Sequence, residues 1–387
     1  MIPIKYNVRS LFARRATTLM TVLSIAFVVL VYVGVLALAG GLRTAFAASG
    51  DPQTVLVLRD GARSETESGF ASETLRLLSN LPQVARDAEG NLLASGETLH
   101  LQVLQRLDGT EANVSIRGVE EGAFHLRPQI EIVEGRRFEP GTGEIIVGAN
   151  LPSRYPALSL DGRVQLGRTP FQVVGVFESG GGAYASEIWG DVRDLGDAFR
   201  RPNYYSSTRL RAASRSDVSA LIDAIESDQR LRLEALPEPE YYEQQTEASA
   251  AVFIYLGNGL AILMAFGACF AAANTMYAQV SVRRKEIGTL RALGFKRRSI
   301  LAAFVLEAVV LGLLAGGLGA LLALPLNGFE TGTVNNLTFS EITFGLRTTP
   351  GILLGGVLLA TATAVIGGLP PAISASRQKI TDLLRQA

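Results

Sequence analysis

Four stretches of this chain carry almost no charge over lengths greater than a bilayer is thick, and this limits its possible folds more than any other feature. A helix crosses the hydrocarbon core with ~20 apolar residues at ~1.5 Å each. Residues 16–42, between Arg15 and Arg43, meet that length. So do 248–282, between Glu247 and Arg283, and 348–376, between Arg347 and Arg377. A fourth run lies between Arg298 and Glu330 and is broken by one charge, Glu307. A soluble core would have to enclose four helices that are apolar on every side, so the expected fold has four transmembrane helices. The basic start (Lys5, Arg9, Arg14, Arg15) also suits a cleaved leader. The apolar run that follows is much longer than the ~7–15 residues of a leader, so the segment reads as an uncleaved anchor.

Charge is balanced overall, with 36 basic and 36 acidic residues, but unevenly placed. All the lysines (Lys5, Lys285, Lys296 and Lys379) flank the spans, in segments that also hold Arg283, Arg284, Arg291, Arg297, Arg298, Arg377 and Arg385. Only Glu286 and Asp382 oppose them there. By the positive-inside rule these segments are cytoplasmic, with both termini inside. Residues 43–248 hold 21 arginines against 31 acids and are expected outside.

The outer region reads as α+β. Two strand–helix–strand patterns, near 54–103 and 208–233, flank a β-rich middle that contains Glu144-Ile145-Ile146-Val147-Gly148 and Phe171-Gln172-Val173-Val174. Two such units pack naturally as a split sandwich. The second uncharged run would be ~52 Å long as a helix, against ~30 Å of hydrocarbon, so it is expected to start outside as a stalk, as is the first. The only cysteine, Cys269, lies inside a span and reads as a packing residue. His100 and His125 have no partner residues at ligand spacing, and no metal site is expected; His100 is placed on the polar face of its strand. No catalytic constellation is found.

The most informative segment joins the second and third spans: Arg283-Arg284-Lys285-Glu286-Ile287-Gly288-Thr289-Leu290-Arg291-Ala292-Leu293-Gly294-Phe295. Ile287, Leu290 and Leu293 recur at helical spacing, Gly294 is a left-handed helix stop, and Ser299 can cap the next span. An apolar ridge ringed by basic residues reads as a protein-docking helix. Within the third span, Glu307 lies close enough to the basic inner end to pair with it, and Gly312, Gly316 and Gly317 allow close helix approach. Pro325 should end or kink that span.

This segment resembles the coupling region of the MacB/FtsX-like ABC transporter permeases, which read approximately R-x-x-E-I-G-x-L-R-A-L-G-A. Arg283, Glu286, Ile287, Gly288, Leu290, Arg291, Ala292, Leu293 and Gly294 match in register, and Phe295 departs from the family's alanine. The N-terminal Asn7-Val8-Arg9-Ser10-Leu11-Phe12, the third span from Leu306-Glu307-Ala308, the end at Pro371-Ala372, and Gly135-Arg136-Arg137-Phe138 are similar too. The resemblance implies an inner-membrane permease of the mechanotransmission type, with its large domain in the periplasm. That permease would be a homodimer or heterodimer docked through the coupling helix onto a separate ATPase. It implies export with a periplasmic adaptor and an outer-membrane channel. FtsX-type activation of a periplasmic enzyme and Lol-type lipoprotein extraction stand as alternatives. With no G-x-x-x-x-G-K-[ST] loop, ATP and Mg are expected on the partner, and the chain itself is expected to hold no cofactor and to be no enzyme.

The implied division is as follows. An amphipathic cytoplasmic-face helix (1–16) precedes the first span and stalk (17–48). The periplasmic domain comprises a porter-like α+β part (49–119), an inserted β-rich subdomain (120–195) and a second α+β part (196–240). After it come a stalk with the second span (241–279), the coupling helix (280–298) and the third span (299–325). A short periplasmic loop (326–348), the fourth span (349–371) and a cytoplasmic tail (372–387) complete the chain.

Overall fold

The computed structural model describes residues 15–228, 230–335, 338 and 340–378; the expected N-terminal amphipathic helix (1–16), apart from its last two residues, and most of the C-terminal tail lie outside that range. In order, the chain forms α1 (Arg15–Ala47), β1 (Thr54–Arg59), β2 (Phe70–Ala71), α2 (Glu73–Ser79), β3 (Ala94–Gln105), β4 (Glu111–Val119), α3 (Gly122–Leu126), β5 (Glu131–Gly135), β6 (Glu144–Gly148), β7 (Arg163–Leu166), β8 (Thr169–Glu178) and β9 (Glu187–Asp191). There follow α4 (Val192–Ala198), β10 (Tyr204–Tyr205), β11 (Ser207–Arg211), α5 (Asp217–Glu226), β12 (Leu233–Pro237), α6 (Glu238–Val282), α7 (Arg284–Ala292), α8 (Arg297–Ala323), β13 (Glu330–Val334), β14 (Glu341–Gly345) and α9 (Pro350–Arg377). Two compact units result. One is helical (Ala251–Phe329, Leu346 onward and the chain up to Gly40); the other holds Gly41–Ala250 with Glu330–Gly345.

In the helical unit α1, α6, α8 and α9 are each long and apolar enough to cross a membrane. Their packing depends on glycine. A Cβ on Gly312 would lie 2.5 Å from the Thr361 Cα, and one on Gly316 would lie 2.8 Å from the Val357 Cα, so α8 and α9 touch backbone to backbone. Gly317 faces open space and takes no part in this contact; Gly319 instead lets α8 approach α1, where an added Cβ would meet the Ala26 carbonyl at 2.6 Å. Ile25, Val29, Val33, Ala315 and Ala360 form the core between these helices. Pro325 sits in a 3₁₀ turn that ends the third span. Helix α9 runs on to Arg377 through Pro370 and Pro371, past the expected end of the fourth span at 371. Helix α6 is unbroken over 45 residues, about 68 Å at 1.5 Å each.

The other unit is built on one ten-stranded sheet. Its first four strands run β12-β1-β11-β3, all antiparallel neighbours. Because β11 lies between β1 and β3, and β1 between β11 and β12, the crossovers through α2 and α5 form two interlocked split strand–helix–strand units. Val218, Leu221 and Ile225 of α5 pack with Val55, Val57 and Leu210 beneath this half. The β-rich region is inserted between the two α+β parts, as expected, but it begins at β4, before the expected bound of 120, and it continues the same sheet. Strand β3 has 12 residues: its first part pairs with β11 and its remainder with β4, so one strand carries the sheet into both halves. Beyond β4 come β9, β6, β8 and β5, with β7 paired to β8, over a second core of Ile116, Ile145, Leu158, Phe171 and Ile188.

The expected short loop at 326–348 is likewise more ordered than the sequence indicated, since β13 and β14 pair from Glu330↔Gly345 to Val334↔Glu341. His100 is buried at 6 % exposure and stacks on Phe199 with ring centroids 4.3 Å apart, so its strand has no polar face there. Both faces are covered over Ser95–His100 of β3 and Val114–Val119 of β4, which strand alternation alone does not disclose.

Candidate functional site

The segment between the second and third spans folds as the nine-residue helix α7. Gly294 takes φ +92°. Its N–H donates to the Arg291 carbonyl at 3.2 Å, and the Phe295 N–H donates to the Leu290 carbonyl at 3.1 Å. That pair of bonds is the Schellman stop, and it makes a tight, defined end. Ser299 does not cap α8; the helix starts at Arg297, with Lys296 at the cap position and no side-chain bond to it.

The expected apolar ridge of α7 is divided. Ile287 is buried with Met276, Val280, Ile300, Phe304 and Ala372, inside the helical unit's own core. Gly288 is buried beside it, Leu290 is half-buried, and Leu293 is 72 % exposed. Arg284, Lys285, Glu286 and Ala292 are exposed. The helix is thus anchored inward by Ile287 and offers a charged surface with Leu293 at its rim. Arg283, just before it, donates to Glu307 at 3.1 Å, and Glu307 is 1 % exposed. This pair joins the start of α7 to α8. Arg291 is half-buried, on neither surface.

A second constellation, inside the sheet unit, is absent from the sequence reading. Three arginines and four glutamates meet with almost no access to solvent. Arg117 on β4 holds Glu187 on β9 through two bonds, 2.7 and 2.9 Å, and donates to Glu65 at 2.8 and 3.1 Å and to Glu97 at 3.0 Å. Arg209 on β11 donates to Glu65 at 2.9 Å, to Glu97 at 2.7 Å and to Glu238 at 2.9 Å. Arg127, after α3, pairs with Glu97 at 2.8 Å and lies over the rings of Tyr184 and Trp189, 4.9 and 5.4 Å from their centroids. Ser207 donates to Glu65 and the Trp189 indole to Glu187 at 2.8 Å.

Register explains the gathering. Arg117 is opposite Leu99 on β3 and Trp189 on β9, and Arg209 is opposite Ser95 on β3, so strands from both halves of the sheet contribute to one face. Glu238, the first residue of α6, ties the head of that helix in: it also accepts from Tyr184 at 3.1 Å and from the Asp51 N–H at 3.1 Å. A carboxylate there is favoured by the helix N-terminal dipole as well.

Burial alone would push the Glu65 carboxyl up. The Arg117 and Arg209 guanidiniums beside it outweigh that and hold it well below the usual carboxylate range. Glu97 is also held low, burial being offset by Arg127, Arg209 and Arg117. Burial would lower Arg117 and Arg209 likewise, and their carboxylate partners drive both upward instead. Glu65, Glu97, Arg117 and Arg209 are therefore charged across the physiological range. Among the described residues no group of side chains could hold a metal ion. The network ties strands of the two half-sheets and the head of α6 together.

Comparison with known proteins agrees with this architecture. The MacB-like periplasmic core domain matches residues 18–228, more than half the chain, and the FtsX-like permease C-terminal domain matches residues 258–380. The chain is a member of the MacB/FtsX-like family of ABC transporter permeases and is a membrane protein. It is 25 % identical to the uncharacterized ABC transporter permease YvrN of Bacillus subtilis, over 99 % of this chain and 98 % of that one. It is 27 % identical to the macrolide export ATP-binding/permease protein MacB of Hyphomonas neptunium, over 97 % of this chain but 59 % of that longer protein. The periplasmic region of MacB from Actinobacillus actinomycetemcomitans matches 51 % of the chain at 11 % identity with a TM-score of 0.38.

Proposed function

We propose that this chain is the membrane subunit of an ABC-type machine in a bacterial inner membrane. It turns ATP-driven movement of a separate ATPase into displacement of its periplasmic domain, in the service of export through a periplasmic adaptor. The observation that carries this reading is the construction of α7. A helix closed by a Schellman stop, with Ile287 sunk among Met276, Phe304 and Ala372, cannot move without moving the spans it is packed in. A plain positive-inside connection needs none of these features.

The division of labour follows. Arg284, Lys285 and Arg297 supply the exposed charge that meets the ATPase, and Leu293 supplies the apolar contact. Arg283 acts differently from the others, because it is engaged with Glu307 and holds α7 to α8. The unbroken α6 carries movement along its length to Glu238 and the buried charge network.

Co-purification tests this. Tagged full-length protein extracted in mild detergent should bring down a P-loop ATPase. Charge reversal at Arg284, Lys285 and Arg297 together should reduce that recovery at least tenfold while leaving the permease folded. Recovery unchanged by the triple reversal would refute the docking role of α7.

A further inference from the structure

The hairpin β13–β14 is joined to the spans by very short connections: residues 327–329 on the α8 side and 346–349 on the α9 side. A hairpin with only surface work to do would be polar and free. This one is pinned from three directions within the sheet unit. Glu341 is 6 % exposed and accepts from Arg106 at 2.9 and 3.1 Å, from Arg154 and from the Tyr155 hydroxyl. Thr343 receives Arg154 at 2.5 Å and Asn150 at 3.3 Å, and its own N–H donates to Ser186 at 3.0 Å. Asn335 donates to Gln245, on the outer part of α6, at 2.8 Å, and both are buried. On the third side, a Cβ added to Gly41 of α1 would meet the Gly345 carbonyl at 2.3 Å, so only glycine permits this crossing.

We propose that the hairpin Glu330–Gly345 is a strap. Its Glu341 clamp, formed with Arg106, Arg154 and Tyr155, passes displacement of the α8–α9 pair to the β-rich half of the sheet unit. The chain also crosses at α1, which leads into β1, and at α6, which follows β12. The clamp gives the β-rich half, which contains Arg106, Asn150, Tyr155 and Ser186, a connection to the spans besides the one made through Glu238 and Tyr184. A charged clamp suits this use. It is directional, and a carboxylate enclosed at 6 % exposure between guanidiniums that are 24 and 28 % exposed is held more firmly than an open surface pair.

The inference deepens the transmission reading above but is tested without any ATPase. Amide hydrogen exchange of the full-length chain in lipid nanodiscs is compared between wild type, Glu341→Ala, and Glu341→Ala carrying an Asn150→Cys/Thr343→Cys disulfide in a Cys269→Ser background. Intact Trp189 fluorescence confirms that each variant is folded. Glu341→Ala should speed exchange at least tenfold in β13–β14 and also in the first turn of α9 and around Gln245. The disulfide should reverse all three changes. If exchange rises only within the hairpin, or if the disulfide restores the hairpin but not α9, the strap is a passive loop and the proposal is wrong. ATPase recovery unchanged by the triple reversal would leave this result standing, so the two readings fail separately.

Discussion

Replacing Arg209 by Met removes one of three cations that compensate four buried carboxylates. Arg209 is fully buried and reaches Glu65, Glu97 and Glu238, which belong to three different parts of the chain. Each carboxylate keeps another partner: Arg117 donates to Glu65 and to Glu97, Arg127 stands as a counter-charge to Glu97, and Tyr184 donates to Glu238. What is lost is charge balance in a region with little water. Removing one partner of a buried pair costs about 3–5 kcal/mol, because the remaining charge stays desolvated. For a unit of 150–250 residues each kcal/mol shifts the midpoint by roughly 2–4 °C, so the variant should melt at least ~6 °C below wild type. The assay is built in. The only tryptophan, Trp189, donates to Glu187 at 2.8 Å and lies beside Arg127, so its fluorescence reports on this network in the full-length protein. Arg230→Met is the control; that side chain is 88 % exposed and pairs with Asp228 on the surface, so its midpoint should not move measurably. The deficit of Arg209→Met should also shrink in mild acid, as a surplus carboxylate takes up a proton. If Arg209→Met melts within ~2 °C of wild type at neutral pH, the network does not bear load and the argument fails.

Three further outcomes are expected. Glu65 and Glu97 titrate below their ordinary value of 4.5 when folded, so their contribution is complete above about pH 4.5 and fades as pH falls through the lower folded values. Thermal midpoints by Trp189 emission should be flat from neutrality to about pH 5 and decline below 4.5; a decline already at pH 6 would contradict the assignment. Gly312→Leu should abolish recovery of monodisperse protein, because its side chain would strike the Thr361 backbone, whereas Gly317→Leu, facing open space, should be recovered normally by size-exclusion chromatography. Arg283→Met and Glu307→Gln should each lower stability, and the double variant should cost less than the two together by ~1 kcal/mol or more; strict additivity in chemical unfolding would show that the pair is not coupled.

The four spans were legible because a bilayer imposes a length and a polarity that every residue in a run must satisfy locally. The helix stop at Gly294 was legible for the same reason, since a positive φ is a property of one position. The α+β class followed from strand spacing, but the continuity of the sheet did not, because nothing in the sequence of β3 says that its two ends have different neighbours. The ridge of α7 shows the limit well. Spacing correctly put Ile287, Leu290 and Leu293 on a helix, yet which of them faces inward depends on where α6, α8 and α9 lie.

The charge network was hidden for a sharper reason. Alternation along β11 puts Leu210 into the apolar core, so Arg209 and Arg211 read as facing water. Arg211 does remain partly exposed; Arg209 does not, because the 60–68 segment and the head of α6 come from far away to cover it. The same holds for Arg117 beside the buried Ile116 on β4, and for Glu97 on β3. A strand residue's own neighbours decide which face it takes, but long-range packing decides whether that face is wet. Arginine is tolerated on such a covered face only where carboxylates arrive with it, and here they arrive from Glu65 in a loop, Glu187 on another strand and Glu238 at a helix start. Since each partner is set by a different part of the fold, the network exists only when all of them are in place. That dependence ties the head of α6 to both halves of the sheet at once.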